Sequence, residues 1–252
     1  MQEVKKLFEP IKIGQMKLKN RIMLAAMVAN FADEDGFVTD RLKAYHANIA
    51  RGGCGLNVTE SSHVSLEGKR ITCGLGAYDD KLIPGLRELT DAVHAKGGKI
   101  AQQIHHGGRE CSSAITGLQP IGPSSLTSRF SAISKKTDVP RQMTLEDIEI
   151  VISKFGEAGQ RAKEAGCTGI ICSGLEVEEL KQSLGSAFIA VTPGIRPAWE
   201  EVENADQQRV MTPALAVEKG ADYLVIGRPI RDAADPRAAA IRIAGEISSA
   251  LS

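Results

Sequence analysis

Six short apolar runs, each followed by a helical pattern, limit the folds open to this chain more than any other feature. Alternation of this kind is the signature of βα units, in which consecutive parallel strands are joined by helices that pack on the sheet. Several of the helical patterns end at glycine, which is a common helix stop. The pattern that runs to Gly166 begins with Thr144 and Asp147, which predicts a variant of the capping box at its start. The sequence therefore predicts an α/β fold built on one parallel sheet. The predicted strands are residues 21–27, 54–60, 99–106, 167–173, 187–193 and 221–227.

The number of strands sets the expected architecture. A closed TIM-type (β/α) barrel has eight strands, whereas this chain of 252 residues has six predicted ones. We therefore expect one TIM-barrel-like domain over residues 1–252, with six main parallel strands. A short hairpin is predicted ahead of it at "IKIGQMKLKN" (11–20), turning near residues 14–15. A long loop rich in Gly, Pro, Ser and Thr is predicted at about 107–143, where a functional loop is expected.

The balance of charge excludes two classes of partner. Lysine plus arginine equals aspartate plus glutamate, 31 of each, so the formal net charge is zero. A neutral chain has no global basic field for nucleic acid or for an acidic membrane surface, and neither partner is expected. No apolar run approaches the roughly 18 residues of a membrane span, and the N-terminus lacks the apolar core of a signal peptide. The cytoplasm is the expected compartment.

The cysteines and histidines do not predict a metal site. The five cysteines are odd in number and none forms a CxxC pair, which argues against a disulfide framework and against a zinc or iron–sulfur site. Reduced thiols are expected. His105 and His106 are adjacent on a predicted strand, so their side chains face opposite sides of the sheet and cannot share one ion there.

The first two thirds of the chain carry several separated motifs in a fixed order. They are "LFEPIKIGQMKLKNRI", "FADEDGFVTDRLKAYH", "GLNVTE" and "QIHHGGR". On these motifs, residues 6–166 resemble the old yellow enzyme family of FMN-dependent ene reductases and NADH:flavin oxidoreductases. We therefore expect residues 1–166 to be a flavin-oxidoreductase-like part of the domain.

This resemblance implies FMN as the cofactor and assigns residues to it. Ala26 and Met27 follow the first strand and would lie against the flavin, with Ala26 in place of the family's usual proline. Ser61 follows the glutamate of the second strand, and Gln103 would hydrogen-bond the isoalloxazine ring. An amide that both donates and accepts hydrogen bonds suits the edge of a flavin. The family motif also has a histidine at His106, for which a structural hydrogen bond is expected.

The last third of the chain resembles a different family. Its motifs are "GIICSGLEVEEL", "VTPGIRP", "DQQRVMTPALAVEKGADYLVIGRPI" and "DPRAAA". On these, residues 167–252 resemble orotidine 5′-phosphate decarboxylase, which implies a phosphate site made of Arg196, Gln207, Gly227 and Arg228. An arginine presents a fork of donors that matches a phosphate group. The chain thus looks like a fusion of two barrel parts, and a phosphorylated small molecule is an expected ligand.

The catalytic equipment of both families is incomplete in this sequence. The decarboxylases work through an Asp-x-Lys-x-x-Asp array, and no such array occurs here. Without a proton donor and paired carboxylates, the transition state of that reaction lacks its stabilisation. The ene reductases carry a His-x-x-His or His-x-x-Asn pair on the fourth strand, where this chain has "GIICSG". Catalytic residues are therefore left unassigned.

We expect an FMN-binding protein of the old yellow enzyme type with weak NAD(P)H-dependent reductase activity. Two alternative hypotheses stay open: a decarboxylase-family phosphate or nucleotide binder without the catalytic array, and a fusion scaffold without chemistry. Six strands also leave open sheet edges, which invite pairing with a second chain, so a homo-oligomer is expected. We call the junction between residues 1–166 and 167–252 the seam. If the third and fourth strands, which flank the seam, fail to pair, those two strands would be the open edges. Otherwise the open edges would be the first and last strands.

Overall fold

The computed structural model describes residues 5–13, 16–128, 138–167, 169–186, 188–199 and 211–251. Its strands are β1 (Ile11–Ile13), β2 (Met16–Leu18), β3 (Met23–Leu24), β4 (Leu56–His63), β5 (Lys99–His105), β6 (Ile121–Gly122), β7 (Arg141–Gln142), β8 (Gly169–Ile171), β9 (Ile189–Thr192) and β10 (Tyr223–Leu224). Its α-helices are α1 (Lys5–Phe8), α2 (Asp40–Arg51), α3 (Ile83–His94), α4 (Ser113–Thr116), α5 (Leu145–Glu164), α6 (Val177–Leu184), α7 (Pro213–Glu218), α8 (Arg228–Arg231) and α9 (Pro236–Ala250). Among the helices within these ranges, none is both long and apolar enough to cross a bilayer.

Six of the strands form one parallel sheet in the order β3, β4, β5, β8, β9, β10. Each strand of the sheet therefore pairs with the next one along the chain, as in a (β/α) barrel. The prediction of six main parallel strands is confirmed. Strands β3 and β10 do not pair with each other in the described part of the chain. The sheet is accordingly a curled half-barrel with two free edges.

The two parts of the chain meet inside this sheet. Strand β5 lies in residues 1–166, which were predicted to be flavin-oxidoreductase-like, and β8 lies in residues 167–252, which were predicted to be decarboxylase-like. They pair in parallel, with Gln102 opposite Ile170 and Gln103 opposite Ile171. The seam is therefore closed by backbone hydrogen bonds, and the free edges are the first and last strands of the sheet.

Side-chain alternation along the strands decides what covers each face of the sheet. Successive strand residues point to opposite faces. On β5, Ile100 and Ile104 pack among residues of the helices. Ala101 belongs instead to the inner cluster, which also contains Leu56, Val58, Ile171, Ile189 and Val191 of the neighbouring strands. That cluster includes Met16 and Leu18 of the hairpin. Both faces of the parallel sheet are thus covered by apolar groups, as such sheets require.

The predicted hairpin is confirmed. Strands β1 and β2 pair in antiparallel fashion, with Ile11 opposite Leu18 and Ile13 opposite Met16. The predicted turn at residues 14–15 lies outside the described residues. Because the hairpin supplies side chains to the inner cluster, it covers the inner face of the half-barrel.

Helix starts follow the local sequence. At the start of α5, Thr144 and Asp147 form the predicted capping box, in which Thr144 Oγ1 accepts from the Asp147 N–H and the Asp147 carboxylate accepts from the Thr144 N–H. Arg141 donates two further hydrogen bonds, of 2.7 and 2.8 Å, to the same carboxylate. These contacts satisfy donors that would otherwise be unpaired in the first helical turn.

The two edge strands are shorter than the sequence predicts. Of residues 21–27 only Met23–Leu24 are paired as a strand, and of residues 221–227 only Tyr223–Leu224. An edge strand has a hydrogen-bonding neighbour on one side only, so it ends where that single neighbour diverges. The residues that follow these strands continue as loops at the carboxyl edge of the sheet.

Candidate functional site

The carboxyl ends of all six main strands lie at one edge of the sheet, because the strands are parallel. In barrel enzymes this edge carries the active site. The described residues of both predicted sets lie on or after these strand ends. They are Ala26, Met27, Ser61, Gln103, Arg196, Gly227 and Arg228. Gln207, the remaining predicted phosphate ligand, lies outside the described residues.

Ser61 and Gln103 are register partners across β4 and β5, so their side chains lie side by side. A β-bulge between Val58 and Ser61 changes the direction of the end of β4. The Gln103 N–H donates to Thr59 Oγ1 at 3.1 Å. Both side chains are partly exposed, and neither forms a hydrogen bond within the part of the chain that the structure describes. An adjacent amide and hydroxyl of this kind fit the polar edge of a flavin ring.

Ala26 and Met27 lie at the start of the loop that follows β3. Ala26 packs against the inner cluster, and Met27 exposes 60% of its surface. The same loop is held by Glu60, whose Oε2 accepts hydrogen bonds from the N–H groups of Ala29 and Asn30. Sequence reasoning assigned no role to Glu60. The only sequence signal for one is its place at the end of the "GLNVTE" motif.

Arg196 and Arg228 follow strands β9 and β10. Arg196 exposes only 7% of its surface, and its N–H donates to the Met211 carbonyl at 2.9 Å. Hydrogen bonds from Arg231 lower the pKa of Asp232, and the charges of Arg228 and Arg196 lower it further. A guanidinium group after each of two neighbouring strands is the kind of chemistry that suits an anion.

Gly227 leaves open space beside the backbone at this point. It directly precedes α8, with φ −104° and ψ −88°. An ideal Cβ built on Gly227 would meet no atom within 4 Å among the described residues. The absence of a side chain is therefore not required by protein packing there, and it leaves room for a ligand to approach the N–H groups.

His106 has a structural hydrogen bond, as predicted. Its Nδ1 accepts from the Gly108 N–H at 3.1 Å, which leaves the ring proton of the neutral form on Nε2. Nε2 lies 3.9 Å from Glu67 Oε1, and the His106 side chain lowers the pKa of Glu67 to about 2. The pair joins the loop after β4 to the loop after β5. Over the described residues, no group of three or more candidate metal ligands occurs.

The end of β8 lacks the histidine pair of the ene reductases. The strand leads into Cys172 and Ser173. Burial raises the pKa of the Cys172 thiol to about 12, so it stays protonated at neutral pH. Ser173 Oγ accepts from the Leu175 N–H at 3.3 Å. Cys172 is buried in the apolar cluster that contains Ile104 and Phe155, so of these two side chains only the partly exposed Ser173 hydroxyl is accessible at this position.

Two family models match this chain. The NADH:flavin oxidoreductase / NADH oxidase family matches residues 6–176, and the orotidine 5′-phosphate decarboxylase / HUMPS family matches residues 130–243. The orotidine 5′-phosphate decarboxylase of Syntrophomonas wolfei is 31% identical in an alignment of 250 residues that covers 92% of this chain and 99% of that protein. The chain belongs to both families. Their matches overlap at residues 130–176, the stretch that holds α5 and β8.

The first of these families is a flavin family whose cofactor is FMN. The NADH oxidase of Thermoanaerobacter brockii is 43% identical over 166 residues, which cover 65% of this chain and 25% of that protein. The chain thus spans about a quarter of the length of that relative. The solved structure of morphinone reductase in complex with tetrahydroNAD matches with a TM-score of 0.74 at 21% identity, over 94% of this chain and 77% of that one. This likeness confirms the predicted barrel-like fold, and the family matches confirm both resemblances.

Proposed function

We propose that the chain binds FMN at the carboxyl edge of its sheet and is a weak NAD(P)H-dependent reductase. The observation that carries this proposal is the parallel pairing of β5 with β8. Because of that pairing, Ser61 and Gln103 from one family lie at the same edge as Arg196 and Arg228 from the other. The first pair is assigned to the ring edge and the second pair to the ribityl phosphate.

The residues present fit the cofactor in part. Bound FMN supplies the hydride chemistry, and the chain supplies binding and orientation. The Gln103 amide can donate to and accept from the ring edge, and Met27 offers an apolar, polarizable surface to a ring face. Arg196 and Arg228 can neutralise the phosphate. Weak turnover follows from the end of β8, which has no imidazole to hold a substrate carbonyl.

Titration of the flavin-free protein with FMN, followed by visible absorbance and flavin fluorescence, tests the proposal. Wild-type protein should bind FMN, and Gln103→Ala and Arg228→Ala should each bind it more weakly. Loss of the charge-assisted donor at Arg228 should cost about 1.5–3 kcal/mol. Arg51→Ala is the matched control, because exposed Arg51 ends α2 at the opposite edge of the sheet. Failure of the folded wild-type protein to bind FMN, or wild-type affinity in Arg228→Ala, would contradict the proposal.

A second candidate function is a phosphate or nucleotide binder of the decarboxylase family. It is favoured by the relative that aligns along almost the whole chain and by the buried Arg196. Decarboxylation itself is not proposed, because the Asp-x-Lys-x-x-Asp array is missing from the sequence. Binding of a nucleoside monophosphate by protein that does not bind flavin would favour this candidate. Enzyme-dependent loss of orotidine 5′-phosphate absorbance would show that another residue set supplies the proton.

The free edges of the half-barrel support a further proposal, that the chain forms homo-oligomers. Strands β3 and β10 each have one paired neighbour in the sheet, and unpaired strand edges are templates for association. Light scattering on the purified protein should give a mass above the 26.9 kDa of a single chain. A monomer with a cooperative thermal transition would rule this out.

The cytoplasm is the proposed compartment, in keeping with five free cysteines.

A further inference from the structure

Glu60 is a buried carboxylate near the end of β4, with 1% of its surface exposed. Its Oε2 accepts hydrogen bonds from the N–H groups of Ala29, at 2.7 Å, and Asn30, at 3.0 Å. Its Oε1 is buried and has no hydrogen-bond partner among the described residues. A buried acidic group is costly unless hydrogen bonds compensate it, and both bonds here come from one short backbone segment. Among the described residues, the Glu60 carboxylate therefore binds specifically to the backbone segment of Ala29 and Asn30.

The segment belongs to the loop of residues 25–39, which leaves the carboxyl end of β3 and carries Ala26 and Met27. Asn30 has φ 55° and is the one non-glycine residue with a positive φ in the described ranges. Its side-chain Oδ1 accepts from the Cys73 N–H at 3.0 Å. A left-handed residue of this kind persists where the surrounding contacts over-determine it. Glu60 and the loop around Cys73 provide those contacts.

The backbone of Glu60 is also tied to the strands assigned to the flavin ring. Its carbonyl accepts from Thr59 Oγ1 at 2.9 Å, and the same hydroxyl oxygen accepts from the Gln103 N–H at 3.1 Å. The next residue, Ser61, is the register partner of Gln103. Glu60 therefore joins the loop that carries Met27 to the strand pair that carries Ser61 and Gln103.

We propose that Glu60 is a positioning residue for the flavin. Its carboxylate holds the loop of Ala26 and Met27 at a fixed place relative to the Gln103 amide. This inference rests on the proposed function, because it names what positions two surfaces of the same site. Removal of the carboxylate frees the loop without removing any of the groups assigned to contact the flavin.

Amide hydrogen exchange and FMN titration of Glu60→Ala, Glu60→Gln and wild-type protein test this role. In Glu60→Ala we expect exchange at Ala29 and Asn30 to accelerate about tenfold or more and FMN affinity to fall about tenfold, with a weaker visible circular dichroism of the bound flavin. Glu60→Gln keeps one acceptor oxygen at the same reach. It should restore FMN affinity to within about threefold of wild type.

Asn57→Ala is the matched control. Asn57 is also fully buried on β4, and its side-chain N–H donates to the His46 carbonyl at 2.8 Å, away from the loop after β3. This variant should leave exchange at Ala29 and the visible circular dichroism of the flavin unchanged. Equal effects in Asn57→Ala and Glu60→Ala would overturn the proposal, because they would show only a general loss of stability.

Wild-type exchange at Ala29 and Asn30 together with a wild-type flavin spectrum in Glu60→Ala would also overturn the proposal. If that variant does not fold, the same result in Glu60→Asp, whose side chain is one methylene shorter, overturns it. The exchange experiment is run on flavin-free protein. Failure of the wild type to bind FMN would therefore reject the proposed function, while the exchange result would still decide whether Glu60 holds the loop.

Discussion

The two parts of the sheet, on either side of the β5–β8 pairing, differ in the lengths of their strands and in the burial of their helices. Strands β4 and β5 have eight and seven residues, and helices α2 and α3 have twelve each. Strands β8, β9 and β10 have three, four and two residues. Helix α9 has 15 residues, of which only Ile243 is buried. Strand β3 of the first part also has only two residues, and the second part has a buried apolar cluster that includes Ile170, Leu180 and Ala190. The difference therefore lies in the length of β4 and β5 and in the exposure of α9.

The two parts would contribute different groups to the proposed FMN site. The first part offers a well-packed wall with an amide and a hydroxyl at its end, whereas the second part offers charge through Arg196 and Arg228. A ring needs a wall in a fixed position, and a phosphate needs cationic groups within reach. Both can serve one ligand only when the seam keeps the strand ends level. In the proposed site, this depends on the parallel register between β5 and β8.

The largest expected difference is in the free energy of unfolding, between truncation of a buried side chain in the first part and of an exposed one in the second part. Leu86 of α3 is buried in the cluster with Leu42 and Ile100, so Leu86→Ala should lower the free energy of unfolding by about 2–5 kcal/mol. Ile241 of α9 is 63% exposed, and Ile241→Ala should change it by less than about 0.5 kcal/mol. Urea denaturation measures both values. Equal losses would show that Ile241 contributes as much to the core as Leu86 despite its exposure.

Acid should destabilise the first part. Burial lowers the pKa of His46 and of His63 to about 4, and the charge of Lys69 contributes at His63. An unfolded histidine titrates near pH 6.5, so between about pH 6.5 and 4 the unfolded state binds protons that the folded state does not. The free energy of unfolding should therefore be fully retained above about pH 6.5 and fall as the pH drops towards 4.

The urea midpoint measured against pH checks this dependence on acid. His46→Phe should flatten the fall, because His46 Nδ1 has no hydrogen-bond partner among the described residues and the ring can be replaced without losing one. The residual slope then comes from His63 and from His94, whose pKa burial also lowers. An unchanged slope in the variant would show that His46 does not titrate as its burial implies.

The seam itself carries a buried amide that can be removed. Gln102 on β5 has 0% exposure, and its side-chain oxygen and nitrogen have no hydrogen-bond partner in the described part of the chain. Gln102→Met removes these polar atoms at nearly equal volume and should raise the free energy of unfolding by about 1–2 kcal/mol. Gln103→Met, at the partly exposed neighbour, should give no such gain. Lower stability in Gln102→Met would show that the amide is satisfied.

The smallest expected effect is at the start of α5, the helix that leads into the seam. Thr144→Ala removes the side chain that accepts from the Asp147 N–H and should cost about 1 kcal/mol in the free energy of unfolding. Thr144→Ser keeps the hydroxyl and should retain most of that stability. Thermal unfolding measures both variants. A loss of similar size in Thr144→Ser would assign the effect to the methyl group.

Much of the fold could be predicted from the sequence because local elements depend on neighbours a few residues away. Alternating apolar runs predicted the six strands, and the spacing of Thr144 and Asp147 predicted the capping box. The motifs also placed Ser61 directly after the glutamate of the second strand and Gln103 on the third strand. Strand length at the two edges was wrong, because it depends on how far a neighbouring strand stays paired. The roles assigned to the site residues, Gln207 among them, stay predictions.

The amino-acid sequence by itself determined the order of elements, the six-stranded sheet and the two families that meet in this chain. Only the tertiary structure decided that β5 pairs with β8 and that Glu60 accepts hydrogen bonds from the backbone N–H groups of Ala29 and Asn30. Each of these contacts joins groups far apart along the chain. Hydrogen bonds and charge interactions depend on distance in space, and a one-dimensional pattern does not contain that distance until the sheet brings the strand ends together.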